Sequence, residues 1–296
     1  MTVINTNTAA TLTANALTKN ERAMSQAMER LSTGQRINSA GDDAAGLAIS
    51  SRMTSQINGL NQAVRNANDG ISMLQTADGA LIEVTNMLQR MRELAVQAAS
   101  GTAVSSDRTA LDVEFEALKA EIERIADQTQ WNGTNLLDGT PGATAFQVGA
   151  NADQTVSFTF ADYNKADSSG GVATNPLGDL DNTGDGTVDN IGLGHATIDL
   201  TTVANHDEAL DGLTSAINNV NARRAAIGAM INRLEFAVDN LSNVSQNASA
   251  SRSAILDADY ASETTELART QIIQQAATAM LSQANQQAQS VLSLLK

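Results

Sequence analysis

Cysteine is absent, proline occurs twice, and aromatic residues make up only 3% of this 296-residue chain. Without cysteine there is neither a disulfide framework nor a thiolate metal site, whatever the compartment. With so little proline, long stretches carry no helix breaker. A compact globular core normally draws on more aromatics, whereas a coiled-coil seam needs only Ala, Leu, Ile, Val and Met. Positive charge is scarce as well: 18 Lys and Arg face 33 Asp and Glu, a net charge of −15. Nucleic acid, which is bound through a basic surface, is not an expected partner. The two histidines, His195 and His206, lie in or beside an acidic stretch, outside any HExxH and without a motif-borne nucleophile. Surface positions suit them better than catalysis. Gly192 and Gly194 open no strand–turn–helix unit, so a nucleotide fingerprint fails on context. No catalytic residue and no cofactor is therefore assigned. The first residues show no basic segment followed by an apolar run and a cleavage site. That predicts cytoplasmic residence or export by a route that reads another signal.

What is there is helical period. The residues from Thr270 to Leu295 carry no charge, yet their many Gln and Asn side chains rule out a membrane span, where amides would lack partners. Ile273, Ala276, Met280, Ala284, Ala288, Val291, Leu292 and Leu295 recur at spacings of three and four, a narrow stripe with nothing of its own to bury against. Such a segment calls for other helices, in this chain or in copies of it. At the other end, Ile4, Leu12, Ala16, Ala23, Ala27 and Leu31 are expected to share a helix face, so the two ends suggest a pair.

The strongest repeat runs from Asp43 to about Ala99. Ile57, Leu60, Val64, Ala67, Ile71 and Leu74 form one heptad series, and Ala77, Leu81, Val84, Leu88, Met91 and Ala95 another after one extra step of three. A helix of that length spans roughly 85 Å. Asp42 or Asp43 is expected to cap its start, and Gly101 to end it. A second helix is predicted over about 106–129, with Leu111, Phe115, Leu118, Ile122 and Ile125 on one face. Turn chemistry follows in WNGTNLLDGTPG, and then alternation at Phe146 and Val148 and at Val156, Phe158 and Phe160 predicts a β-hairpin. Helical period resumes at Asp207, with Leu213, Ile217, Val220, Ile227, Ile231, Leu234, Val238 and Leu241 as a further seam.

The intervening segment 166–206 is rich in Gly, Asp and Thr and has no helical period. Between Asp153 and Glu208 ten acids face one base, Lys165, so this stretch holds −9 of the −15 and is expected to face water. Its DNTGDGTVDN run resembles a calcium loop with Asp181, Asp185 and Asp189 at usable positions, but Thr183 and Gly192 stand where further ligands belong. An acidic Asp/Gly turn is the simpler reading. The fold expected is mainly α, with long antiparallel coiled-coil helices from both chain ends, a β-hairpin region and a small irregular or β insert in the middle. A self-assembling structural protein is the function that survives these exclusions, not an enzyme, and a lipid-surface helix would need Lys and Arg beside the apolar face.

LSTGQRINSAGDDAAGLAISS at Leu31–Ser51, QRMRELAVQA at Gln89–Ala98, TQWNG at Thr129–Gly133, DADYASE at Asp257–Glu263 and VLSLL at Val291–Leu295 resemble the signatures of bacterial flagellins. The resemblance covers about residues 1–140 and 207–296. It implies a structural subunit that polymerises into the flagellar filament for swimming. It also implies an inner coiled coil from 1–42 and 256–296, an outer helical layer from 43–165 and 207–255, and a short exposed variable insert at 166–206. The implied partners are copies of the chain, a flagellar export chaperone, the type III export apparatus, cap and hook-junction proteins, and the vertebrate Toll-like receptor for flagellin. Nucleic acid and membrane insertion are not implied. Positions matching the receptor segment are Arg90, Leu94 and Glu114. Ile273, Met280, Val291, Leu292, Leu294 and Leu295 belong to the segment used for polymerisation and chaperone binding, and the last leucines to that read by a cytosolic sensor. A hook–filament junction protein, a chemoreceptor coiled coil and a flagellin with an embedded metalloprotease are the alternatives. They fall, respectively, on the strength of the N-terminal match, on the missing membrane span and on the missing HExxH.

Overall fold

The computed structural model describes residues 7–161, 163, 200 and 206–293, with side chains except at 9, 206–208 and 287–293. Five helices carry most of it: α1 (Thr8–Thr33), α2 (Ala44–Ala98), α3 (Ser105–Gln128), α4 (His206–Leu256) and α5 (Tyr260–Ser293). Between α3 and α4 lie two hairpins, β1 (Gln130–Trp131) with β2 (Thr134–Asn135), and β3 (Ala143–Gln147) with β4 (Thr155–Thr159), both antiparallel. The chain divides into two compact units. One takes the chain up to Asn58 and from Ser245 onward, the other Gly59–Val244. The division thus falls inside α2 and α4.

The second unit holds the packed core. Along α2 the predicted seam is buried at Leu60, Ala67, Leu74, Ala77, Leu81, Val84, Leu88, Met91 and Ala95, with Val64 and Ile71 half-buried. Ala63, Met73 and Leu94 are buried too, so the stripe is wider than a two-position seam, as a helix covered by several elements requires. Leu213, Val220, Ile227 and Leu234 of α4 and Phe115, Ile122 and Ala126 of α3 close one cluster with α2 from Ala67 onward, while Leu60 and Ala63 pack with Leu241 in a second. Asp43 does the expected capping, its Oδ1 accepting from Gly46 N at 2.9 Å. The far end of α2 is closed by α3, where Arg108 Nε donates to the Ala98 carbonyl at 3.1 Å.

The short hairpin turns on Asn132 and Gly133, whose φ values of 50° and 80° are those a two-residue turn between antiparallel strands demands. The longer hairpin has the predicted alternation: Phe146 faces Val156 and both are buried, as is Phe160. It lies on α2 where glycine leaves room. A Cβ on Gly70 would stand 2.9 Å from the Phe146 ring, and one on Gly59 would stand 3.0 Å from the Ala150 Cβ. The segment 164–199, including Asp181, Asp185 and Asp189, lies outside the described residues.

In the first unit α1 and α5 run antiparallel. Asn7 Nδ2 donates to the Ala284 carbonyl at 3.2 Å, Asn20 Nδ2 to the Thr270 carbonyl at 2.7 Å, and Arg30 pairs with Glu263 at 3.0 Å. The least exposed positions form matching heptads: Ala10, Thr13, Leu17, Asn20, Met24, Ala27 and Leu31 on α1, and Glu263, Leu267, Thr270, Gln274, Ala277, Leu281 and Ala284 on α5. The terminal pair is as expected, and the apolar stripes read from the sequence join its seam only in part: Ala27 is buried, Ala23, Leu31 and Ala284 are half-buried, and the other described positions are exposed. Leu12 and Ala16 are exposed one position before Thr13 and Leu17, and Ile273, Ala276 and Met280 stand one position before Gln274, Ala277 and Leu281. One residue is about 100° of helix, so each helix has two stripes, an inner mixed one and an outer apolar one. Ile4 lies outside the described residues.

Candidate assembly surfaces

Three features of the first unit position its surfaces. The breaks between α1 and α2 and between α4 and α5 lie side by side: Arg36 N donates to the Leu256 carbonyl at 2.7 Å and Ala258 N to the Gly34 carbonyl at 3.0 Å, around a bridge between Gln35 and Asp257. Arg36 Nη2 also donates to the Ile255 carbonyl at 2.8 Å. Gly34 ends α1 at φ +71°, where a side chain would be strained and would meet the Tyr260 hydroxyl. Gly46 lets the next turn close on Ile37, since a Cβ there would come within 2.6 Å of the Ile37 side chain. Asp42 collects Asn38 N, Ser39 N, Ser39 Oγ and Gln26 Nε2 at 2.9–3.2 Å. These hydrogen bonds, the one from the Ser39 backbone foremost, hold its carboxyl below the usual range. The signature residues of 31–51 and 257–263 are thus the parts of one joint, a role their composition did not disclose.

The second feature is the outer stripe. Leu12 is 72% exposed, Ile272 66%, Met280 61% and Ile273 39%. Asn7 meets Ala284 and Asn20 meets Thr270, so Leu12 and Met280 stand at one level of the pair. Val291 and Leu292 lie in the last turns of α5, their side chains outside the description, and Leu294 and Leu295 lie beyond it. The third feature is the polar seam itself: Asn20 and Thr270 are buried where an apolar pair would give more stability, an arrangement that fixes register instead.

In the second unit the residues of the receptor-like segment divide. Arg90 Nε donates to Glu114 Oε1 at 2.9 Å and Arg90 Nη1 to Glu93 Oε2 at 3.0 Å, with Arg90 and Glu114 both about half-exposed. The carboxylates, Glu114 first, push the guanidinium still further above its ordinary range. Leu94 is 1% exposed and belongs to the core, so it presents nothing to the surface. Sequence reasoning passed over Phe236, 75% exposed on α4. Its one signal is an apolar residue standing off the Leu234–Val238–Leu241 seam. Among the described residues no group of His, Asp and Glu is arranged to hold a metal, and no helix is long and apolar enough to cross a membrane.

Long helices paired across the chain ends, with apolar stripes left open beside a filled seam, define a helical subunit built to associate with others. The family comparisons agree. The model of the bacterial flagellin N-terminal helical region matches residues 4–141, and that of the C-terminal helical region residues 210–295. A flagellin of Halalkalibacterium halodurans is 47% identical over 271 residues, 92% of this chain and 91% of that one. A flagellin of Bacillus subtilis is 43% identical over 313 residues, 99% of each. The solved structure of a putative flagellar hook-associated protein from Vibrio parahaemolyticus covers 73% of this chain and all of that one, with a TM-score of 0.60. At 15% identity it shares the fold alone. The chain belongs to the bacterial flagellin family and is a self-polymerising filament subunit of the bacterial flagellum, the organelle of swimming motility.

Proposed function

We propose that the subunits of this filament join through the outer stripe of the α1·α5 pair, with Ile273, Met280, Val291, Leu292, Leu294 and Leu295 on α5 and beyond, and Leu12 on α1. The observation that supports it is the double stripe: the seam within the chain is satisfied, and large apolar side chains remain exposed beside it. A contact between unlike faces of successive copies generates an open helical polymer. In this reading 1–42 and 256–296 form the inner coiled coil, 43–165 and 207–255 the outer layer, and 166–206 the exposed insert. The chain acts by assembly rather than by catalysis.

Before assembly the same stripe is a liability, since an exposed apolar face associates without control. An export chaperone that covers α5, passage through the type III apparatus to the outside, and addition beneath a cap above hook-junction proteins meet that need. In the second unit the half-exposed Arg90–Glu114 pair is the part of the receptor-like segment that a Toll-like receptor would touch, Leu94 being buried in the core. The decisive experiment removes Asn285–Lys296. The truncated monomer should melt at the same temperature as the full chain by circular dichroism, while electron microscopy shows no filaments. Normal filaments from the truncated chain would overturn the reading.

A further inference from the structure

We propose that Met280 is an oxidation site through which peroxide stops a subunit from joining the filament. This inference rests on the reading of the outer stripe as the contact between copies. The chain has no cysteine, so methionine sulfur is its soft nucleophile. Burial sorts the methionines. Met73 and Met91 are closed inside the core, whereas Met280 is open to solvent. On its own face Ile273 stands seven residues before it and Ala276 four before, both exposed, with Gln283 three residues after it.

Met28 is exposed to a similar degree, at 55%. On the helix Met28 has Glu21 seven residues before it, Met24 and Leu31 on its seam side, and Ser25 and Ser32 on its open side. A polar sulfoxide there can turn to the exposed Ser25 and Ser32 hydroxyls. At Met280 the sulfoxide would have to enter a dry contact, leaving an S=O acceptor without a donor.

The step is balanced. The Met280 sulfur lone pair attacks one oxygen of hydrogen peroxide, an S–O bond forms as the O–O bond breaks, and a proton moves to the leaving hydroxide to give water. The sulfur is oxidised by two electrons and the peroxide is reduced. The change is reversed by methionine sulfoxide reductase. Once Met280 is covered by the next copy the sulfur is shielded, so the gate acts on the subunit before it adds and not on the finished filament.

The test treats full-length monomer with hydrogen peroxide, maps sulfoxide by peptide mass spectrometry, and follows growth on filament seeds. Oxidised wild type should elongate roughly tenfold or more slowly, the effect of losing about one large side chain from a buried contact. Met280→Leu should keep its rate under the same treatment, Met28→Leu should remain sensitive, and the reductase should restore the oxidised wild type. A Met280→Leu chain as sensitive as wild type would overturn the proposal. So would oxidised wild type that carries the sulfoxide at Met280 and still elongates normally, or a Met280 that resists peroxide. Untreated Met280→Gln separates the two readings: if it elongates normally, the outer stripe is not the contact and the proposed assembly surface falls. If it fails while peroxide leaves wild type unaffected, the surface stands and only the oxidation gate falls.

Discussion

The two compact units of this chain use the same element, the long helix, and fill its seam with different material. In the unit spanning Gly59–Val244 the seam is Leu74, Leu81, Leu88, Met91 and Leu213, closed by Phe115 and the hairpin until nothing of them meets water. In the other, the α1·α5 seam mixes Ala, Thr, Asn, Gln and Glu with half-buried Leu17, Met24, Leu31, Leu267 and Leu281, while Leu12, Ile272, Ile273 and Met280 are exposed. Each buried Leu or Phe contributes about 1.5–3 kcal/mol, whereas burying Ala and hydrogen-bonded amides contributes far less. One unit therefore draws ample stability from its own seam. The other draws less from its own.

The sharpest way to break this comparison is to truncate one leucine in each seam. Leu88→Ala should lower the stability of the monomer by about 2–5 kcal/mol, read as a lower thermal midpoint. Leu281→Ala, half-buried in α5, should change the monomer by less than about 1 kcal/mol. Equal losses would erase the distinction. Next in size is Gly70→Ala, which pushes a methyl group against the Phe146 ring. It should cost about 1–3 kcal/mol and loosen the hairpin, visible as faster amide exchange at Phe146 and Val156.

A smaller effect separates the polar joint from both seams. The Asp42 carboxyl titrates below its unfolded value, so its hydrogen bonds stabilise the joint fully above the unfolded pKa and are lost as pH falls through the folded one. Amide exchange at Asn38 and Ser39 should therefore accelerate in that acid window, below the ordinary carboxylate range, while the core amides of α2 stay protected. Asp42→Asn should abolish that pH step. The smallest effect on folding is expected from Arg90→Ala with Glu114→Ala, a half-exposed pair whose removal should leave the melting midpoint unchanged. A receptor reporter assay with monomer should nevertheless weaken. A full response from the double variant would remove these two residues from the proposed receptor surface.

Heptad spacing disclosed α2 and α4 almost to the residue, because a seam covered along its length leaves a strong period in apolar residues. The longer hairpin was legible from alternation, and the pairing of the chain ends from their missing charge. The division of labour on α1 and α5 was not. Part of the apolar pattern there, Leu12, Ala16, Ile273, Ala276 and Met280, marks a face left open within one chain, while Ala27, Leu31 and Ala284 join the seam beside Asn20 and Thr270. Polar seam residues give no hydrophobic signal, and their partners lie 250 positions away. Glycines 46, 59 and 70 were equally silent, since close approach is a property of the neighbour and not of the glycine.

The side-by-side breaks at Gly34–Ile37 and Leu256–Ala258 bear on how a twisting force passes through the first unit. A single linker between helices would act as a swivel. Here two linkers are laced by backbone hydrogen bonds in both directions, from Arg36 to Leu256 and from Ala258 to Gly34. Rotation of the terminal helix pair must shear both at once. Within the first unit such a two-point clamp resists torsion between the terminal helix pair and the adjoining turns of α2 and α4, where one linker would yield.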